Sequence, residues 1–522
     1  MTIRFVLFLV LVALPYKTQA AVEIASLFRD NAVLQRDAAV PLWGTAEAGE
    51  AVTVSFAGQE VTTKADKDGN WRVELKSLSA SAEPRSLAVT SDRSDKRLTI
   101  KNVLVGDVWV GSGQSNMAGK VASYAKNDET LAKLAGEAPF AQLRLMQSGP
   151  TPTWTEATSV TVAQFSAIHF AFGERLQRDL DVPIGLIVGA VGGTPSGYWI
   201  PPATFDGSDK CKAEIAEFAK TWNQDVAEKQ YADQFAAWEK RVAAAKAKGE
   251  KPRGRAPVLP KGPGGSIRGG KIGGLYERFI EPVVGYRIRG VLWDQGEAGS
   301  GVLGVDQYTM MSELMRGWRE VWGQGDFPFL FVQKPSGGGC AFSNDNSITR
   351  NGDAYTGQLP DISRIGSGEQ RFLYVRLMHD NPNAWMVPAS DLGSGIHPTN
   401  KWGYGNRAAD VALGQVYKKD VQAYGPIYTS HKIAGGKVVV QFDQVGKGLI
   451  AAHGSKLKGF ALASDDGQWH WAEARIEGDN VVLSSDKVTK PTRIRYAFSQ
   501  NRQWANLFNK DGLPALAFEA GE

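Results

Sequence analysis

Hydrophobic and polar positions change rhythm twice along this chain after its first twenty residues. Between residue 21 and about 100, apolar and polar side chains alternate in short runs. Val52-Thr53-Val54-Ser55-Phe56 and Trp71-Arg72-Val73-Glu74-Leu75 do so on either side of the turn Asp66-Lys67-Asp68-Gly69-Asn70. Alternation with a period of two, broken by turn residues, predicts a small β-sandwich over 21–101. From 102 to about 425, strand-like apolar runs take turns with helix-like stretches, the mark of a layered α/β domain. The runs Val103-Leu104-Val105, Ile184 to Val191 and Gly290-Val291-Leu292-Trp293 are its candidate strands, and Trp402 to Val416 a candidate helix. From Pro426 onward the alternation returns, in Val438-Val439-Val440-Gln441-Phe442, Gly459 to Ala463 and Arg493 to Phe498. This predicts a C-terminal β-rich domain over 426–522. The pattern leaves open whether the two β regions form one split domain.

Inside the α/β region, 205–270 reads as an insertion. Ile215, Phe218, Trp222 and Val226, then Tyr231, Phe235, Trp238 and Val242, recur at three- and four-residue spacing, which predicts an amphipathic helix or helix pair packed as a cover. A stretch rich in Pro, Gly and basic residues follows to Gly270, expected as a solvated linker in preference to an anion-binding patch. Residues 1–20 read as a secretory signal peptide: Arg4, an apolar run from Phe5 to Leu14, then Thr18-Gln19-Ala20. That run is too short to span a membrane, so an exported protein, periplasmic or extracellular, is expected, with no membrane span.

Composition narrows the picture further. A net charge of +4 on 522 residues does not call for a nucleic-acid partner. The two cysteines, Cys211 and Cys340, allow at most one intrachain disulfide, which spacing neither demands nor excludes. No Cys/His cluster has metal-ligand spacing, so neither a metal nor another cofactor is expected. Fifteen Trp residues favour a carbohydrate ligand, because aromatic faces stack on sugar rings.

Candidate chemistry gathers at the ends of the strand-like runs. Gly111-Ser112-Gly113-Gln114-Ser115-Asn116-Met117 follows an apolar run and precedes helix-forming residues. A serine on such a strand-to-helix turn is exposed beside backbone N–H groups that can face an oxyanion. The stretch is not a G-x-S-x-G elbow. Gly192-Gly193-Thr194-Pro195 ends a second run, where Gly lets backbone N–H approach a ligand oxygen. Gln295 follows a third run and offers a side-chain amide at a strand's C-terminal edge, where open α/β sheets put their sites. His397, one of six histidines, stands just ahead of a helix-like stretch.

These blocks, in this order, resemble the SGNH/GDSL-type hydrolases and, within them, the sialate O-acetylesterase-like carbohydrate esterases. The resemblance rests on Gly106 to Met117, Gly192 to Pro195, Leu275 to Ile280, Trp293 to Glu297 and Ile396 to Lys401. It extends to Leu27–Arg36 near the start and Ala505–Pro514 near the end. It implies a three-layer α/β/α core with a parallel sheet, flanked by the two β-rich regions. It also implies a serine esterase that removes acetyl groups from sugars, O-acetylated sialic acid first and acetylated xylan or another polysaccharide as the alternative. Carried over by position, Ser115 is the nucleophile and His397 the general base. The Ser115 N–H, a Gly192 or Gly193 N–H and the Gln295 side chain form the oxyanion hole. Gln114, Asn116, Trp199, Asp294 and Glu297 are candidate contacts to the sugar.

The third catalytic member departs from the pattern. Relatives carry an Asp two or three residues before the His, where this chain has Gly395 and Ser394. Three arrangements fit: Asp391 orients His397, a backbone carbonyl does, or the site is weakened and the protein binds sugar without turnover. Asp294 also replaces the usual Tyr of W-Y-Q-G-E, either binding sugar hydroxyls or facing solvent. A sialic carboxylate calls for an arginine, and Arg278, Arg289 and Arg350 are the candidates.

Overall fold

The computed structural model describes residues 22–521 apart from 253, 334–337 and 455; the expected signal peptide lies outside them. The central layer is a mixed sheet. Its strands are β1 (Ser94–Gly113), β2 (Phe140–Gln147), β3 (Thr153–Ala157), β4 (Ile184–Ala190), β5 (Gly290–Asp294), β6 (Phe329–Val332) and β7 (Ala384–Val387), in spatial order β3-β2-β4-β1-β5-β6-β7. From β2 to β7 every pairing is parallel; β3 runs antiparallel at the edge. The apolar runs seen in the sequence are strands covered on both faces, which removes any need for alternation.

Successive residues of each strand enter two different cores. Trp109, Leu186, Leu292 and Leu330 pack with helices α2 (Ala167–Leu180) and α7 (Lys401–Val411). Val110, Ile187, Trp293 and Phe331 pack with α5 (Gln307–Trp322) and α6 (Glu369–Asp380) on the opposite face. Capping follows local sequence. The Ser166 side chain accepts from the His169 N–H to open α2, and Asp306 does the same for Thr309 at the start of α5.

β1 is longer than the pattern suggested. Its first half pairs antiparallel with Ser81–Ser91, and Leu104–Gly106 pairs with Val33–Gln35. The expected boundary at 101/102 therefore falls inside one continuous strand, and the N-terminal β region shares the core on one face of the central sheet. Asp107 fastens this junction. Its buried carboxylate accepts from Gln35 (2.8 Å), Arg36 (3.0 Å), Arg289 (3.0 and 3.1 Å) and Tyr417 (3.0 Å). Burial alone would raise this carboxyl's pKa, but the Arg36 hydrogen bond and the Arg289 charge outweigh it and hold it below the ordinary value. The C-terminal strands, from Ile427–Ala434 to Phe518–Gly521, build sheets around a separate apolar cluster.

The insertion divides into two helices with different surroundings. α3 (Asp209–Ala219) packs Cys211 and Ile215 against Ile200, Val302 and Met310. α4 (Gln224–Ala247) buries only Ala227, so most of it is no packed cover. Its aromatic stripe is satisfied largely by itself, with Tyr231–Phe235 and Phe235–Trp238 ring centroids 5.7 and 5.5 Å apart. Cys211 and Cys340 are both buried free thiols, not a disulfide. Among the described residues no helix is long and apolar enough to cross a membrane.

Candidate active site

The site lies where β1, β4 and β5 end together. Gly113 has φ +127°, and a Cβ there would lie 2.2 Å from the Asp294 carbonyl oxygen, so only glycine lets β1 and β5 run this close. The next N–H, of Gln114, donates to that same oxygen at 2.8 Å. The chain then turns into the short helix α1 (Ser115–Ala118), with Ser115 at its first position.

The Ser115 Oγ and His397 Nε2 are 2.8 Å apart. They come from residues 282 positions apart in sequence. Gly192 lies beside them: a Cβ on it would be 3.6 Å from the Ser115 Cβ, which is ordinary contact. Among the described residues, the N–H groups of Gly192 and Gly193 have no protein acceptor. Such free donors next to a serine can receive charge that develops on a bound carbonyl oxygen.

Three expected site residues have other partners. Asp391 is buried and bonded twice by Arg407, at 2.8 and 3.1 Å, with no hydrogen bond to His397. This fork-to-fork geometry occupies both carboxylate oxygens, so Asp391 does not orient His397 here. Gln295 directs its Nε2 at the carbonyls of Gly299 (3.1 Å) and Thr194 (3.4 Å), and its Oε1 accepts from Gln307. With its two amide hydrogens so used, it ties two loops together instead of facing an oxyanion. Trp199 is fully buried, donating to the Thr194 hydroxyl and packed near Phe279 and Trp293. It is a core residue and presents no face to a sugar.

Gln114, Asn116, Asp294 and Glu297 do meet near Ser115. Gln114 bonds Glu297 through its amide nitrogen. Asp294 is buried and does not face solvent; one of its oxygens has no partner. Burial, with Glu297 beside it, pushes its carboxyl far above the usual range. Asn116 is held from two sides, by Lys401 at its oxygen (2.7 Å) and the Ile396 carbonyl at its nitrogen (3.2 Å).

Of the arginines proposed for an anionic substituent, Arg289 is taken up by Asp107, Arg350 bonds Thr130 and Glu129, and Arg278 lies against the Phe279 ring. Two arginines from the basic linker come to the site instead. Arg268 donates to the Gly193 carbonyl at 3.3 Å, and an Arg255 Nη lies 3.7 Å from where a Gly193 Cβ would be. The linker's composition was the signal, but composition does not say where a loop folds back.

Known proteins resemble the chain along most of its length. Residues 105–235 match the family model described as carbohydrate esterase, sialic acid-specific acetylesterase. The sialate O-acetylesterases of Pongo abelii and Homo sapiens are each 25% identical to the chain, over 95% of it and 92% of their own length. The crystal structure of a carbohydrate acetylesterase from Xanthomonas citri superposes with a TM-score of 0.71 at 27% identity, over 96% of this chain and 99% of that one. The chain is a carboxylic ester hydrolase, similar to sialate O-acetylesterases and to a carbohydrate acetylesterase along nearly its whole length.

Proposed function

We propose that this chain is an exported serine esterase that removes O-acetyl groups from sugars, with O-acetylated sialic acid as its preferred substrate. The observation that carries the reading is the 2.8 Å contact between Ser115 Oγ and His397 Nε2. In this mechanism His397 Nε2 takes the hydroxyl proton as Oγ bonds to the acetyl carbon. The resulting oxyanion is received by the N–H groups of Ser115 and of Gly192 or Gly193, each worth on the order of 3 kcal/mol in comparable sites. As the intermediate collapses, the carbon–oxygen bond to the sugar breaks and His397 returns the proton to the leaving sugar oxygen. Water then attacks the acetyl-enzyme, with His397 again as base, and acetate leaves.

The helix-covered parallel strands, with the serine just past the end of β1, support an SGNH-type core. The acidic sugar is favoured by Arg255 and Arg268 beside Gly193, since guanidinium groups recognise carboxylates well. Gln114, Asn116, Asp294 and Glu297 then face or support the sugar side of the pocket. His397 acts without an acidic partner, as the general base of a Ser–His dyad.

Acetate release from 9-O-acetyl sialic acid, acetylated xylan and an aryl acetate tests this reading. Ser115→Ala and His397→Ala are each expected to lower kcat by about 10⁴-fold or more. The paired exchange of Arg255 and Arg268 for Ala is expected to raise KM for the sialate alone. Faster turnover of xylan would replace sialate with a neutral polysaccharide. No turnover of any acetyl ester, with sugar binding retained, would leave a binding protein in place of an esterase.

A further inference from the structure

Lys401 is fully buried, and among the described residues its ammonium has one hydrogen-bond partner, the Oδ1 of Asn116 at 2.7 Å. Around it lie the Tyr124 ring, 4.5 Å from Nζ, and the Tyr404 ring, 5.6 Å away. Asp294, Glu297 and Asp128 supply the nearby negative charge, while burial lowers the ammonium's pKa. Filling space is a poor reason for a buried ammonium, because an apolar chain of the same length would do so without desolvation cost.

The geometry of Asn116 gives the ammonium a task. A carboxamide can sit either way round, but an ammonium only donates. Lys401 therefore fixes which end of Asn116 is oxygen and turns the NH₂ group to the other side. There it donates to the Ile396 carbonyl at 3.2 Å. Asn116 is the residue after Ser115, and Ile396 is the residue before His397. The bond thus joins the two reacting side chains through their immediate neighbours. His397 and its neighbours Ser394, Gly395 and Ile396 are exposed, and among the described residues no acid bonds its ring.

We infer that Lys401 is a positioning residue of the esterase: by setting the Asn116 amide it holds the loop before His397 at the distance that brings Nε2 onto Ser115 Oγ. The inference rests on the Ser115–His397 reading above. It gives a physical reason for a serviceable catalytic histidine in a chain whose Asp391 is bound elsewhere.

Three variants of the full chain test it on an aryl acetate and on the preferred sugar ester. Lys401→Met keeps the length and removes the donor. Its kcat is expected to fall about 100-fold with KM within about threefold, the pattern of misplaced catalytic groups with intact binding. Lys401→Gln restores a donor and is expected to recover about tenfold of that loss. Asn116→Asp still accepts from Lys401 but puts an oxygen against the Ile396 carbonyl, so the kcat of its folded fraction should fall at least as far. If Lys401→Met does not fold, Asn116→Asp decides alone. Turnover within about threefold of wild type in either folded variant, or equal losses in the Met and Gln variants, overturns the inference. Ser115→Ala separates the two ideas. Activity surviving in it would sink the serine mechanism itself, whereas an inactive Ser115→Ala beside normal Lys401 and Asn116 variants would sink only the positioning role.

Discussion

The two halves of the proposed catalytic pair are built in opposite ways. Ser115 stands at the end of a buried central strand, on a turn where a Cβ at Gly113 would lie 2.2 Å from the Asp294 carbonyl oxygen and where the Gln114 N–H bonds that same oxygen. His397 stands on an exposed loop, with exposed residues before it and, among the described residues, no carboxylate bonded to its ring. Ser115 is held by the fold as a whole, while the loop of His397 is held by a few side-chain bonds, chiefly those of Asn116 and Asn400. The latter caps α7 through the Gly403 N–H (2.9 Å) and also bonds the Ile348 carbonyl (2.7 Å). Rigidity on the strand side costs tolerance to substitution. Exposure on the loop side leaves room for it, and for substrate.

The comparison can be broken most directly at one glycine in each half. Gly113→Ala would drive a methyl into the Asp294 carbonyl, 2.2 Å away, at a φ that side chains avoid. We expect a loss of about 4 kcal/mol or more, enough to threaten folding. Gly395 also has positive φ, +92°, but a Cβ there would meet nothing within 4 Å. Gly395→Ala should cost only the backbone strain, about 1–2 kcal/mol, with kcat changed little. Urea denaturation of the two variants measures the difference, and equal losses would end the distinction between a rigid and a tolerant half.

Asp391 sharpens the same contrast. In a triad, Asp391→Asn would lower kcat by about 10⁴-fold and leave stability alone. Here it would leave the buried guanidinium of Arg407 without its carboxylate, a loss of about 3 kcal/mol or more. The folded fraction should then keep kcat within about tenfold of wild type. Titrating active serines with an organophosphonate while following the melting temperature distinguishes the two outcomes.

The sequence made the frame of the site legible and its wiring much less so. Apolar runs ending in small residues marked the ends of β1, β4 and β5, because strands covered on both faces need unbroken hydrophobicity. Motif order put Ser115 and His397 in one site. Asp391, however, could have met either of two basic side chains. Nothing in the spacing shows that Arg407, one α-helix later, takes it. Trp199 and Gln295 look the same in sequence whether they face a ligand or a core. β1 runs on through 101/102 although its alternation stops there, because the change to the unbroken apolar run Val103-Leu104-Val105 marks a strand becoming covered on both faces, not a strand ending. α4 was legible as a helix, but a stripe of Tyr231, Phe235 and Trp238 does not say that the rings rest mainly on one another.

A second histidine offers the mildest probe of the strand half. His169 of α2 lies directly beneath β1, where its ring would be 2.8 Å from any Cβ on Gly111 and where Nε2 bonds the Trp109 carbonyl at 3.2 Å. It stacks between Phe165 and Phe172, and burial lowers its pKa from 6.5 to about 4. Between those values the unfolded chain binds a proton at this position and the folded chain does not. Stability contributed here is therefore complete above pH 6.5 and declines as the pH falls toward 4. The loss is about 2 kcal/mol at pH 5. His169→Gln keeps a donor for Trp109 and does not titrate. The stability of wild type relative to this variant should thus fall by that amount between pH 7.5 and pH 5, whatever the buried carboxylates of both proteins add in common. A constant difference across that range would mean that water or a proton reaches the ring in the folded state, and that the layer under the nucleophile is looser than the strand above it.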